Sequence, residues 1–249
     1  MTTVFLDFET SGLDPNRHEI IQAGVVVVDD DFNEVLFKSW PEVDFDPAKA
    51  EEQALKVNGF TGFKNPISQL QLCCELEQIL QDYATVEKVS QFNNVFRVAR
   101  LGGHNVGSFD CLFLKQLFTR FNKFCPVDYH FVDTVSLAMA YFHKRESKPA
   151  SLKLTALAEF FRLSVEGAHG ALFDATLSRD LASIFLGSAF KTEHEVTPSG
   201  HRITVNGQSS EFVCHELPCF FELWGKKFFA PFIGDPNFEN YKVYEVIAQ

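Results

Sequence analysis

The segment VFLDFET, residues 4–10, constrains the fold more than any other part of this chain of 249 residues. Side chains alternate across a β-strand, so Phe5, Asp7 and Glu9 share one face while Val4, Leu6 and Phe8 share the other. An apolar strand belongs inside a sheet, yet a buried face does not accept two carboxylates unless something compensates their charge. Two arrangements satisfy this. Either the strand lies at an edge with both acids in water, or Asp7 and Glu9 turn toward a bound cation.

Two further segments place acids in comparable settings. LGGHNVGSFDCLFLKQLF, residues 101–118, reads as a short strand, a glycine-rich turn and a helix, with Phe109, Leu112, Phe113 and Leu117 at helical spacing. Ser108 is the expected N-cap, which puts Asp110 in the first turn, where the positive end of the helix favours a carboxylate. Taken alone, Asp110 is equally well an ordinary helix-start acid.

The third segment sets His169 between Gly167 and Gly170, ahead of a helical pattern of Leu172, Ala175, Leu177, Leu181, Ile184 and Phe185. Residues five apart on an ideal helix diverge by about 140°. His169 and Asp174 therefore meet only if the histidine stands on the glycine-flanked loop and the aspartate in the first helical turns. A loop histidine is commonly just solvated, but one beside such acids can take a proton from water, because imidazole titrates near neutrality. Four carboxylates from three segments form the ligand set of a two-metal phosphodiesterase, in which paired cations clamp the attacking and leaving oxygens. Without metal, their mutual repulsion raises the pKa of at least one.

DFET, then HN followed by FD, then a histidine and an aspartate with four residues between them, resemble the three motifs of the DEDDh 3′→5′ exonucleases, whose best-known member is the epsilon proofreading subunit of bacterial DNA polymerase. A sister subgroup carries tyrosine four residues before its last aspartate, where this chain has Gly170. The resemblance spans residues 1–188. It implies a ribonuclease H-like fold, with two Mg²⁺ or Mn²⁺ ions on Asp7, Glu9, Asp110 and Asp174, oxygen donors suited to hard cations. It makes His169 the general base in stepwise hydrolysis from the 3′ end to nucleoside 5′-monophosphates. It also places Thr10 and Leu13 where relatives grip the terminal nucleotide, and His104 and Asn105 where a substrate or orienting role falls. The last pair is otherwise a turn-stabilising polar pair. DNA is the favoured polymer and RNA trimming the alternative. Further alternatives are a ribonuclease H or transposase-like enzyme and a scaffold module that has lost catalysis; the five intact residues and the early DxE pair stand against both.

Charge limits how such a chain holds nucleic acid. The formal net charge is −11, and still −7 without the four proposed ligands, opposite to the basic footprint of a nonspecific duplex binder. Contact with phosphate must be local, through metal and a few cations, which suits a single-stranded or frayed 3′ end. YFHKRESKPASLK offers Lys144, Arg145, Lys148 and Lys153 against Glu146 alone, although such runs are usually solvated. The 28 phenylalanines are core material by default, with Phe63 and Phe109 the candidates for stacking on unpaired bases. MTTVFLDFET lacks the pattern of a signal peptide and no apolar run has the length of a membrane span, so a soluble cytoplasmic protein is expected. The six cysteines, at 73, 74, 111, 125, 214 and 219, contain no CxxC and are expected as free thiols. Cys214, His215 and Cys219, with His194 or His201, miss the spacings of zinc sites.

The expected layout is an α/β fold. Val4–Phe8, Ile20–Val28 and Val35–Trp40 form antiparallel strands, the last two joined by the acidic turn DDDFN. Helices follow near 47–57 and 67–83, then a strand at 98–103, the helix after Ser108, a strand opening FVDTVSLA and a helix in SLKLTALAEFFRL. Residues 1–188 make a catalytic domain with a mixed sheet flanked by helices. Residues 189–249 make a small β-rich appendage that packs on that domain, binds a partner or forms a homodimer. Its signals are an Asn-Gly turn in HRITVNGQSSEFV and a second pair around Gly225. With five basic and eight acidic residues, it is no basic nucleic-acid tail.

Overall fold

The computed structural model describes residues 1–145 and 147–186 in full and, beyond them, the backbone of strands lying between residues 192 and 246. The elements run β1 (Thr3–Thr10), β2 (Ile20–Val28), β3 (Glu34–Trp40), α1 (Glu52–Val57), α2 (Gln69–Asp82), β4 (Val86–Val89), β5 (Val95–Val98) and β6 (Arg100–Gly103). Then come α3 (Asp110–Arg120), β7 (Val132–Asp133), α4 (Thr134–Phe142), α5 (Leu154–Phe160) and α6 (Ala171–Leu186).

One mixed sheet organises these elements, in the order β3-β2-β1-β6-β7. β1, β2 and β3 pair antiparallel, whereas β6 runs parallel to β1 and to β7. The link from β2 to β3 closes because the Asp29 carboxylate accepts the amides of Asp31 and Asn33. The alternation read from VFLDFET sorts the two faces. Val4, Leu6 and Phe8 join the large core with Leu72, Leu76 and Leu80 of α2 and Leu114 and Phe118 of α3. Phe5 packs with Val26, Val28, Ala175 and Ala182 under α6, so Asp7 and Glu9 continue along the face that α6 covers. A third cluster joins Ala138 and Phe142 of α4, Leu157 and Ala158 of α5, and Leu181 of α6. Edge-to-face contacts among Phe142, Phe160, Phe161 and Phe185 absorb part of the phenylalanine surplus there.

Glycine sets the height of α6 above the sheet. Gly24 lies opposite Asp7 in the β1–β2 register, and a Cβ built on it would fall on the backbone of Leu172 in the first turn of α6. Because the obstacle is backbone, no rotamer change relieves it. Gly24→Ala is therefore expected to destabilise by about 1–3 kcal/mol, the usual cost of overpacking, and to lower activity by displacing Asp174. Thermal unfolding checks the first effect, and an unchanged melting temperature would show that α6 can shift freely.

The structure departs from the sequence reading in several places. The helix expected over 47–57 is split into a 3₁₀ turn at Pro47–Lys49, capped by the Asp46 side chain, and α1. The break falls where the Glu51 amide donates to the Ser11 carbonyl at 2.8 Å, tying this stretch to the end of β1. The strand expected at 98–103 is divided between β5 and β6. β5 pairs with β4 in a separate hairpin that alternation did not reveal, since among its eight strand residues only Val98 is buried. FVDTVSLA contributes only two strand residues, because Asp133 accepts the amides of Val135 and Ser136 and starts α4.

Past residue 186 the strands are β8 (Thr192–Thr197), β9 (Gly200–Val205), β10 (Gln208–Cys214), β11 (Cys219–Leu223), β12 (Lys226–Ala230) and β13 (Tyr244–Val246). β9 and β10 pair from Val205↔Gln208, flanking Asn206 and Gly207, and β11 pairs with β12 from Leu223↔Lys226 around Gly225. Both hairpins lie where the turn signals put them. The side chains of Cys214, His215, Cys219, His194 and His201 lie outside the described residues.

Candidate active site

Four carboxylates from three segments converge at the end of β1. Asp7 and Glu9 project from one face of that strand, Asp110 opens α3, and Asp174 stands in the first turn of α6. Parallel pairing of β6 to β1 ends at Phe5↔Gly102. Three residues further on, the free amide of Phe8 donates instead to Asp110 Oδ1 at 2.9 Å, which fixes that carboxylate against the strand. The gap between the diverging strands is thus filled by an acid at only 2% exposure.

Ser108 is not the cap of α3. The chain turns on Asn105, whose backbone is left-handed at φ 59°, and whose carbonyl accepts the amides of Ser108 and Phe109. That turn delays the helix to Asp110, leaving Phe109 in the cap position with no side-chain hydrogen bond.

His169 stands on the glycine-flanked loop and Asp174 on the helix, as their spacing required. The loop tightens through Gly170 N to the Gly167 carbonyl, and the helix begins with Asp174 N donating to the Gly170 carbonyl. The His169 backbone is left-handed, φ 69°, and its amide donates to Asp174 Oδ2 at 3.3 Å. Ligand-type atoms of Glu9, His169 and Asp174 all fall within 4.8 Å of one another.

Burial and mutual repulsion of the four carboxylates dominate the electrostatics of the site. Burial pushes Asp7 well above the ordinary carboxylate range, and Asp110, Asp174 and Glu9 push it further. Glu9 is raised to about 7 by burial and by Asp174. Asp110 is raised to about 8, chiefly by burial and against the opposing Phe8 hydrogen bond. Asp174 is raised by burial, offset by His169. Its Oδ1 is also buried with no hydrogen-bond partner. An orphaned carboxylate oxygen among three other acids fits a hard divalent cation, whose ligands are oxygens.

Of the residues expected at the substrate, Thr10 is buried, with its hydroxyl donating to the Gly12 carbonyl at 2.8 Å, whereas Leu13 is 74% exposed. His104 follows β6, with Nδ1 2.7 Å from the Thr134 hydroxyl, and burial lowers its pKa. Asn105 is exposed and forms the turn already described. Phe109 packs on the main core beside Phe113. Phe63 is 37% exposed and engages Phe45 and Phe60 edge to face. Lys144, Lys148 and Lys153 are exposed, while the Arg145 guanidinium lies over the Tyr141 ring and donates to the Tyr141 carbonyl.

Two residues outside the motifs hold the Thr10–Asp14 loop. His18, at 2% exposure, accepts the Asp14 amide on Nδ1 and lies against Gly12, and Asn58 donates to the Thr10 carbonyl at 3.0 Å. No periodicity marks either. Gly24 did carry a signal, since a lone glycine inside a strand points to close backbone approach.

No helix among the described residues is long and apolar enough to cross a membrane. Comparison with known proteins agrees with the architecture. Escherichia coli Exonuclease I in complex with a dT13 oligonucleotide superimposes with a TM-score of 0.58 at 16% identity, covering 82% of this chain and 52% of that one. The zinc-bound form of E. coli Exonuclease I with single-stranded DNA gives 0.57 at 18%, covering 73% and 39%. A third structure of exonuclease I gives 0.57 at 14%, covering 94% and 56%. The chain thus spans about half or less of the length of these structures, and the likeness is one of fold. Comparison with curated proteins gave no match. The profile of the RNase_T family, described as Exonuclease, matches residues 4–181, and with the sheet and the converging acids in place the chain belongs to that exonuclease family.

Proposed function

We propose that the chain is a 3′→5′ exonuclease of the DEDDh type, removing nucleoside 5′-monophosphates one at a time from single-stranded or frayed 3′ ends, with DNA as the favoured polymer. The main support is the convergence of Asp7, Glu9, Asp110, Asp174 and His169 at the end of β1 in an exonuclease-family fold. Asp7, Glu9, Asp110 and Asp174 would hold two divalent cations, Mg²⁺ or Mn²⁺. Such ions supply charge neutralisation at the phosphate and lower the pKa of bound water.

The protein's own groups do the rest. His169 takes the proton of the attacking water at its ring nitrogen. Leu13 offers an exposed apolar surface to the terminal base, and the buried Thr10, held to Gly12, shapes the backbone beneath the 3′-hydroxyl. His104 and Asn105 orient the strand beside α3. Single-stranded DNA in the exonuclease I structures supports the choice of polymer. The appendage, residues 189–249, would contact a protein partner or a second copy, and the chain would act in the cytoplasm.

The test uses 5′-labelled single-stranded DNA, duplex DNA and RNA, with Mg²⁺ or Mn²⁺, and wild type beside Asp7→Ala. Wild type should give a ladder shortened from the 3′ end, strongest on single-stranded DNA and absent with Asp7→Ala. A ladder that survives the substitution, or wild-type inactivity on all three polymers, sinks the assignment.

A further inference from the structure

We infer that His18 is a positioning residue for the terminal nucleotide: its ring fixes the Gly12–Asp14 turn so that Leu13 stands out of the fold as an apolar finger. The loop itself poses the problem. Leu13 is 74% exposed, while Thr10, Ser11 and His18 around it are at most 5% exposed. A free loop would fold such a side chain back onto the protein, because covering it removes apolar surface from water.

Both flanks of Leu13 are tied. Before it, the Ser11 amide donates to the Glu19 carbonyl at 2.9 Å, the Ser11 hydroxyl accepts the Glu19 amide at 3.0 Å and the Ser11 carbonyl accepts the Glu51 amide at 2.8 Å. After it, the Asp14 amide donates to His18 Nδ1 at 3.0 Å. The same ring fills the space over Gly12, where a Cβ would fall 2.5 Å from Nδ1 and Cε1. One side chain thus sets the path of the backbone on either side of Leu13.

Packing alone does not call for histidine at this position. Because Nδ1 accepts, the single proton of the neutral ring sits on Nε2, and that buried nitrogen has no hydrogen-bond partner. Glu51 Oε1 lies 3.5 Å from it, an electrostatic contact short of a good hydrogen bond. Leucine would fill a similar volume and leave no orphaned N–H, whose burial is costly. What histidine adds is a rigid acceptor for the Asp14 amide. Since Asp14 is exposed, losing that acceptor would hand its amide to water and cost little stability.

The inference rests on the proposed contact of Leu13 with the terminal base, so the test sets Leu13→Ala beside His18→Leu, His18→Asn and the Leu13→Ala/His18→Leu double variant. Hydrolysis of 5′-labelled single-stranded DNA with Mn²⁺ gives KM and kcat, and thermal melts report the fold. His18→Leu should raise KM at least about 10-fold, the scale of one apolar side chain withdrawn from a contact. Its kcat should stay within about threefold, as for lost uniform binding, and its melting temperature close to wild type. His18→Asn, whose Oδ1 stands where Nδ1 does and can accept the same amide, should recover most of the lost KM. A lowered melting temperature with no such recovery would make His18 a packing residue and overturn its positioning role.

In the Leu13→Ala background, His18→Leu should add nothing further to KM, because residues that act as one unit are not additive. If Leu13→Ala raises KM while His18→Leu does not, or if the two effects add, His18 does not act through Leu13; the inference falls and the Leu13 contact stands. If Leu13→Ala leaves KM unchanged, that contact falls and takes the inference with it, whereas the exonuclease assignment stands as long as wild type still shortens the strand.

Discussion

Stripped of divalent metal, the chain should lose stability as pH rises from about 4 to about 8, and Mg²⁺ or Mn²⁺ should restore it. Glu9 and Asp110 are raised to about 7 and about 8, and Asp7 is raised as well. A carboxyl group with a raised pKa keeps its proton in the folded state where the unfolded chain has already released it. The folded state then binds more protons, so stability falls with pH through that window. The full contribution is present below the unfolded values near pH 4 and is lost once pH passes the folded ones. Each tenfold tightening of proton affinity on folding corresponds to about 1.4 kcal/mol. The three groups share one pocket and do not titrate independently, so the summed effect should be a few kcal/mol. Bound cations invert the sign by favouring the charged carboxylates.

Asp110→Asn isolates this effect. Asparagine keeps an oxygen for the Phe8 amide, which donates to the native carboxylate, and removes the ionisable group. The variant should melt above wild type at pH 8 in a chelator and match it at pH 4. The stabilisation gained on adding Mn²⁺ should shrink, and kcat should fall by about 10²–10³-fold or more, the scale of losing one electrostatic stabiliser. Thermal melts across pH with chelator or Mn²⁺ decide it. A metal-free melting temperature that rises from pH 4 to 8 would mean that the acids do not repel one another as their placement requires.

Why the acids were legible in the sequence, and the supports around them less so, follows from the range of the forces involved. Strand alternation is local, so assigning Asp7 and Glu9 to one face of β1 required only residues 4–10. The placement of His169 and Asp174 was equally local, because helical geometry forbids their meeting unless the histidine precedes the helix. Asp110 was assigned to a helix start for the right helix but through the wrong cap, since Ser108 gives way to a turn set by the backbone of Asn105. What fixes Asp110 is an amide a hundred residues away in sequence, and no pattern within its own segment carries that. The same holds for Asn58 and His18 under the Thr10–Asp14 loop. The β4–β5 hairpin escaped because an exposed ribbon shows no apolar alternation. The C-terminal hairpins were readable because turn chemistry at Asn206-Gly207 and Gly225 marks a reversal whatever the strands pack against.

Acidity and nucleic-acid chemistry are reconciled by locality. Four carboxylates beside a phosphodiester repel it until cations intervene, so metal binding should precede productive substrate binding. Between α4 and α5, Arg145 is stacked on Tyr141, and Lys144, Lys148 and Lys153 are further exposed cations. Few basic contacts imply a shallow dependence of affinity on salt, since each neutralised phosphate adds about 0.7 to the slope for a single strand.

Removing the proposed base, His169, should separate binding from chemistry. His169→Asn is expected to lower kcat by about 10²–10⁴-fold, the usual contribution of a positioned general base, while KM changes little because no contact to the strand is assigned to that ring. The fold should survive, since asparagine accepts the left-handed backbone that His169 adopts at φ 69° and keeps the amide that Asp174 accepts. Mn²⁺ should still raise the melting temperature of the variant, which separates a lost base from a collapsed site. With the imidazole gone, solvent base must take the water proton, and the residual rate should climb with hydroxide concentration across the accessible range. His169→Gly, which also suits this backbone, should regain part of its rate when imidazole is added in solution, because the vacated space lies beside Glu9 and Asp174. Single-turnover rates at saturating metal give the cleanest readout. If kcat of His169→Asn stayed within about threefold of wild type, the water would be activated without this ring.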